Sequence, residues 1–128
     1  MTFNLTNATA VALGGTIGAL ARFYIYTLVA RYFPHEIPIA TLSVNIIGSL
    51  IIGFLSALFL HYHPSDFLRL FIVTGFLGAL TTYSTFALES YMLLNSNSTY
   101  AILNIVLNLF GSIGAVMVGF KLVQQFIK

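Results

Sequence analysis

Two glycines followed by five hydroxyl groups stand inside one apolar stretch. Residues 75–86 read Gly-Phe-Leu-Gly-Ala-Leu-Thr-Thr-Tyr-Ser-Thr-Phe, between the apolar runs 67–73 and 87–94. At bilayer depth, backbone departs from helix only where protein or a water-filled cavity receives its polar groups. The carbonyls and amides freed at such breaks commonly bind ions. The chemistry this stretch offers is therefore ion handling. Two rows of polar residues four apart support that reading: Thr41, Asn45, Ser49 and Gly53, and then Asn104, Asn108 and Ser112. Residues at this spacing share one helix face. A single row would be read as interhelical hydrogen bonding. Two rows beside a break favour the wall of a polar pathway.

Several residues in this set can do specific work. The Asn45 amide offers two N–H donors and an acceptor; it suits either an anion that must bind and leave, or a structural bond to a neighbouring helix. Arg22, deep in an apolar run, is costly there by about 2.5 to 3.5 kcal/mol. It either snorkels to the surface or draws anions to a vestibule. Tyr83 and Phe86 are three apart, and an aromatic ring has an electropositive edge that can touch a small anion; packing is the other reading of the pair. Glu89 can relay protons, bind a cation or pair with a basic residue. His61, His63 and Asp66 crowd one loop without a fourth metal ligand nearby, which points to a polar interfacial loop. No nucleophile–base pair, phosphate loop or carboxylate pair occurs, so no enzyme is expected.

The elements that must position these residues are membrane helices. Of 128 residues, 59% are hydrophobic and 6% charged, against roughly 25% charged in soluble domains. Residues 8–30, 39–60, 67–94 and 100–127 are each long enough to cross a bilayer, which takes about 20 residues. The connections between them are too short for a soluble domain. Residues 1–128 thus read as a single four-helix transmembrane domain, a multi-pass protein of the cell membrane, with the third helix broken near mid-membrane. The first stretch lacks a basic leader and is too long for a removable signal. There is no cysteine, hence no disulfide framework, and no basic patch for nucleic acid. Three tripeptides, beginning at Asn4, Asn7 and Asn97, have the form of glycosylation sequons and are read as chance.

Small residues at Gly14, Gly18, Gly111, Ala115 and Gly119 have the spacing of close helix packing. Arg69, Lys121 and Lys128 fall on one side of the membrane and Arg31 on the other, with Arg22 further inside. Orientation follows Lys/Arg asymmetry, and this bias is weak enough to permit insertion both ways round. Four thin helices enclose little interior, which implies an oligomer.

The motifs Gly14-Gly15-x-x-Gly18-Ala19-x-x-Arg22, Thr41-Leu42-x-x-Asn45-x-x-Gly48 and Gly75-Phe-Leu-Gly78-x-x-Thr81-Thr82-x-Ser84-Thr85-Phe86 resemble the Fluc/CrcB family of fluoride channels. The resemblance covers all four spans in order. It implies an antiparallel, dual-topology homodimer with two pores, situated in the cell inner membrane, and passive export of cytoplasmic fluoride to relieve its toxicity. It further implies that Asn45 binds fluoride, with Tyr83 and Phe86 beside the ion and Ser112 lining the pore. Thr41 belongs to the same pathway and Arg22 to its aqueous vestibule. The carbonyls of Gly78 and Thr81 from both subunits would hold a structural sodium ion at the dimer centre. Tyr83 stands where phenylalanine is usual and Asn108 where a small hydroxyl residue is frequent; both bear on rate. The rival reading is a small proton-coupled exporter of organic cations, which would centre on a membrane-embedded acid, and Glu89 is the sole intramembrane candidate. A non-transporting assembly protein would leave the break at residues 75–86 without a reason.

Overall fold

Asparagine and serine side chains start three of the four helices of this chain. Asn4 accepts a hydrogen bond from the Asn7 amide at 2.8 Å and opens α1 (Leu5–Tyr32). Ser65 accepts from the Leu68 amide at 3.3 Å and opens α3 (Asp66–Ser96). Asn97 accepts from the Tyr100 amide at 3.3 Å and opens α4 (Ser98–Phe126). Such caps satisfy backbone donors that have no partner within the helix. Two of the sequon-like tripeptides, at Asn4 and Asn97, are thus helix starts. Helix α2 (Ile39–His61) follows Pro38 directly, where a missing N–H costs the helix nothing. This computed structural model describes residues 2–127, and Lys128, counted in the charge comparison above, lies outside them. Among the described residues there is no strand, and four helices are long and apolar enough to cross a membrane.

Helix α3 is not uniform. Its residues Leu70–Leu77 form π-helical turns, with the Gly78 amide donating to the Val73 carbonyl five residues back. After a last α turn, Gly78–Leu80, the backbone opens at Thr81 (φ −82°, ψ 158°) and Thr82 (φ −151°, ψ 115°), then resumes as helix over Tyr83–Ser96. The break expected within residues 75–86 therefore falls on the two threonines, and the glycines stay helical. Gly75 has another use. A Cβ there would lie 2.7 Å from the Val11 carbonyl oxygen and 3.0 Å from the Gly14 Cα, so its absence lets α1 and α3 touch backbone to backbone. Gly14 and Gly18 serve the same crossing from the other side, against the backbone of Phe71 and Phe76.

The break is also a change of partner. The half of α3 before it packs on α1, while the half after it packs on α4; α2 and α4 form the other main contact. At that contact Gly119 faces the backbone of Leu50 and Phe54, and Gly53 faces Val116. Gly53, placed by spacing on the polar row of α2, is thus a packing glycine. A small apolar cluster of Val44, Leu77 and Leu80 fills the space beside the break. Most other large apolar side chains, among them Phe23, Leu88 and Phe110, face outward, as a lipid-facing surface requires.

Candidate functional site

Thr82 sits at the centre of the site because its backbone has lost its helical partners. Its extended conformation turns its own N–H and C=O to one side. The Asn45 carboxamide closes on both: the Thr82 N–H donates to Asn45 Oδ1 at 2.9 Å, and Asn45 Nδ2 donates to the Thr82 carbonyl at 3.2 Å. Each backbone group left bare in a bilayer would cost several kcal/mol, so Asn45 holds the break in place. The structural reading of Asn45 weighed above is therefore met. Its second amide hydrogen is also committed, to Asn108 Oδ1 at 2.9 Å.

The hydroxyl of Thr82 caps the helix that follows, accepting from the Thr85 amide at 3.3 Å and donating to or sharing with neighbouring hydroxyls of Ser84 and Thr85. These two caps have a further effect. In an unbroken helix the Thr82 amide would donate to the Gly78 carbonyl and the Thr85 amide to the Thr81 carbonyl. Both amides are turned elsewhere, which releases the carbonyls of Gly78 and Thr81. The Thr81 carbonyl is met by Arg22 Nη1 at 3.5 Å.

A cleft of about 430 Å³ opens against the break. Asn45, Ser49, Thr81, Thr82, Asn108 and Ser112 give it amide and hydroxyl groups, and Tyr83 and Phe86 give it rings; Gly78 lies in the same wall. No charged side chain among the described residues lines it. The Tyr83 and Phe86 ring centroids are 5.5 Å apart at 64°, so one ring turns its edge toward the other. Tyr83 is 80% exposed and projects away from the single-chain bundle.

Two residues placed on the same pathway by the sequence stand apart from this cleft. Thr41, fully buried, donates to Glu89 Oε1 at 2.7 Å and is met by the Tyr26 hydroxyl at 2.6 Å. Since the Thr41 hydrogen goes to Glu89, Tyr26 is the donor of that second bond. Glu89 Oε2 is buried and has no hydrogen-bond partner among the described residues. Arg22 lines a second cleft of about 340 Å³ with Ala19, Phe23, Tyr26 and Thr85. The Thr81 carbonyl joins the two regions through Arg22. Among the described residues no three ligating side chains converge as a metal cluster; His61 ends α2 rather than lying in the loop, His63 lies in the loop, and both are exposed.

Sequence spacing missed Thr82 as the partner of Asn45, and Ser90 altogether. Ser90 is buried, donates to the Phe86 carbonyl at 2.8 Å and accepts from Asn104 Nδ2 at 3.0 Å. A hydroxyl four residues after Phe86 on an otherwise apolar face was the available signal.

Known proteins resemble this chain in sequence. The sequence profile of the family described as CrcB-like protein, Camphor Resistance (CrcB), matches residues 9–120. A protein of Sulfurimonas denitrificans named fluoride-specific ion channel FluC is 47% identical over 117 residues, covering 90% of this chain and 91% of its own length. A FluC of Campylobacter jejuni is 45% identical over 111 residues, with 86% and 91% covered. A FluC of Thermococcus kodakarensis is 44% identical over 124 residues, with 95% and 99% covered.

Proposed function

This chain belongs to the CrcB family, and on that footing we propose that it is a fluoride-selective ion channel that passively exports cytoplasmic fluoride and so relieves its toxicity. It is a multi-pass integral membrane protein and not an enzyme. The observation that carries the reading is the cleft at the α3 break, where amides, hydroxyls and aromatic rings converge without a charged side chain. Fluoride is small and strongly hydrated, so a pore must replace its water with several good donors. A fixed positive charge at the narrowest point would hold the ion; conduction needs binding strong enough for entry and weak enough for exit. In this reading Asn45 and Ser112 donate to the ion and the edges of Tyr83 and Phe86 face it. Thr41 extends the polar path, and Arg22 concentrates anions at the mouth.

The assembly is an antiparallel homodimer with two pores. The feeble charge bias permits both orientations, and the exposure of Tyr83 in the single chain leaves one wall of the cleft to be supplied by a second copy. Sodium fits the break as a structural ion. The Gly78 and Thr81 carbonyls are released from helical bonding there, oxygen ligands of this kind suit Na⁺, and a two-fold pair of chains would present them twice. Such an ion would offset the carbonyl dipoles of the two breaks.

The organic-cation exporter would centre on Glu89, which lies outside the cleft lining, and the relatives described above are named as fluoride channels. The test is purified protein in liposomes, with fluoride and chloride efflux read by ion-selective electrodes. Fluoride efflux without chloride efflux is the expected result; chloride passing at a comparable rate, or no anion flux at all, overturns the assignment.

A further inference from the structure

A single line of hydrogen bonds runs through the buried side chains behind the cleft. Asn45 Nδ2 donates to Asn108 Oδ1 at 2.9 Å; Asn108 Nδ2 donates to the Asn104 carbonyl at 3.1 Å and to Asn104 Oδ1 at 2.9 Å. Asn104 Nδ2 donates to Ser90 Oγ at 3.0 Å, and Ser90 donates to the Phe86 carbonyl at 2.8 Å. Every bond points the same way, from Asn45 toward Phe86, an arrangement in which each bond polarises the next. Asn104 is 0%, Asn108 4% and Ser90 6% exposed, so water does not compete for these groups.

From this line we infer that Asn108 is a positioning residue that governs how readily Asn45 can give a hydrogen bond to the permeating anion. The inference rests on the fluoride reading above. An amide has two hydrogens. One is held by the Thr82 carbonyl at the helix break, and the other by Asn108 Oδ1. An anion arriving in the cleft must therefore take a hydrogen that Asn108 already holds. Asn108 cannot simply turn over to release it. Its NH₂ group is fixed from behind by two acceptors on Asn104, and the turned amide would set NH₂ against NH₂ at Asn45 and oxygen against oxygen at Asn104. The anion and Asn108 Oδ1 thus compete for one donor, which weakens binding at Asn45 and eases exit. The far end of the line is the backbone of Phe86, so the donor and the ring offered to the ion are set by the same buried chain.

The experiment replaces Asn108 with serine, which is too short to reach the Asn45 amide. Two readouts are taken on the purified channel in liposomes. The first is the fluoride concentration at which efflux half-saturates, expected to fall about tenfold, the size of one exchanged hydrogen bond. The second is the side-chain amide NMR signal of Asn45 in asparagine-labelled protein without fluoride, expected to move. A second variant, Asn104→Ala, leaves Asn108 in place but loosens it, and should shift both readouts in the same direction by less. Half-saturation unchanged in Asn108→Ser, or an unmoved Asn45 signal, overturns the proposal. If Asn108→Ser does not assemble, an Asn104→Ala channel with both readouts unchanged overturns it equally. Wild-type protein that passes no fluoride would instead refute the channel reading, and the Asn45 signal would still report whether Asn108 positions that amide.

Discussion

At the residue scale, the site rests on groups that do two jobs. Asn45 closes the backbone of a broken helix and also presents an amide to the cleft. Asn45→Asp is nearly isosteric, yet it sets oxygen against the Thr82 carbonyl and Asn108 Oδ1 where N–H stood. We expect fluoride efflux to be lost and the protein to unfold at lower denaturant than wild type; efflux at the wild-type rate would show that the amide hydrogens are dispensable. The ring pair makes a purer test, because it holds no backbone. Phe86→Ile keeps an apolar side chain and removes the electropositive edge, so efflux should drop by about tenfold or more with size-exclusion profiles unchanged. Tyr83→Phe keeps the ring and should retain both fluoride efflux and rejection of chloride. A fully active Phe86→Ile would reduce the pair to packing, and an inactive Tyr83→Phe would make the phenol hydroxyl itself a required donor.

At the element scale, the broken third helix positions everything else. The Gly78 and Thr81 carbonyls are backbone groups, so changing a side chain should matter less than changing the chain path. Thr81→Ala keeps its carbonyl and gives up a hydroxyl bonded to the Leu77 carbonyl at 2.9 Å. Gly78→Pro removes the amide that donates to Val73 and Gly75, a helix-interior loss of about 3 kcal/mol or more. Sodium-dependent thermal stabilisation of the purified protein should survive the first change and vanish with the second; equal effects would argue against a main-chain cation site. Thr82→Ala should cost about 1 kcal/mol through loss of the N-cap, seen as a lower midpoint in the same thermal scan. Much of this element is legible in the sequence. Glycines and threonines inside an apolar run mark a break, although its place at Thr81–Thr82 follows from which backbone groups Asn45 can reach. The π-helical turns over Leu70–Leu77, which run along the close crossing with α1, have no residue signature. The polar rows of α2 and α4 are legible as faces, but spacing does not say which amide meets which. That is why Asn45 and Asn108 could be placed near each other in kind and not in contact. Gly53 shows the same limit: period marks a face, and only the neighbour, here the Val116 backbone, decides whether a glycine there lines a path or admits a backbone.

At the scale of the whole molecule, the four spans were legible from length and apolarity alone, since a bilayer sets both. The pairing of the spans was not, because lipid is as apolar as leucine and the contacts are chosen by small residues and polar bonds. The proposed antiparallel dimer belongs to this scale. A tag at the C-terminus should be reached by impermeant reagents from both faces of the native membrane; labelling from one face only, with a parallel pair in crosslinking, would exclude it. The order in which these partners occur along the chain also bears on biosynthesis. The groups that receive the broken third helix, Arg22 and Asn45, both lie upstream of it. A growing chain that has delivered three spans into the lipid already carries the partners of the Thr81 carbonyl and of both Thr82 backbone groups, and only the released Gly78 carbonyl waits for another. The last span arrives afterwards to an amide on Asn45 that still has one hydrogen to give.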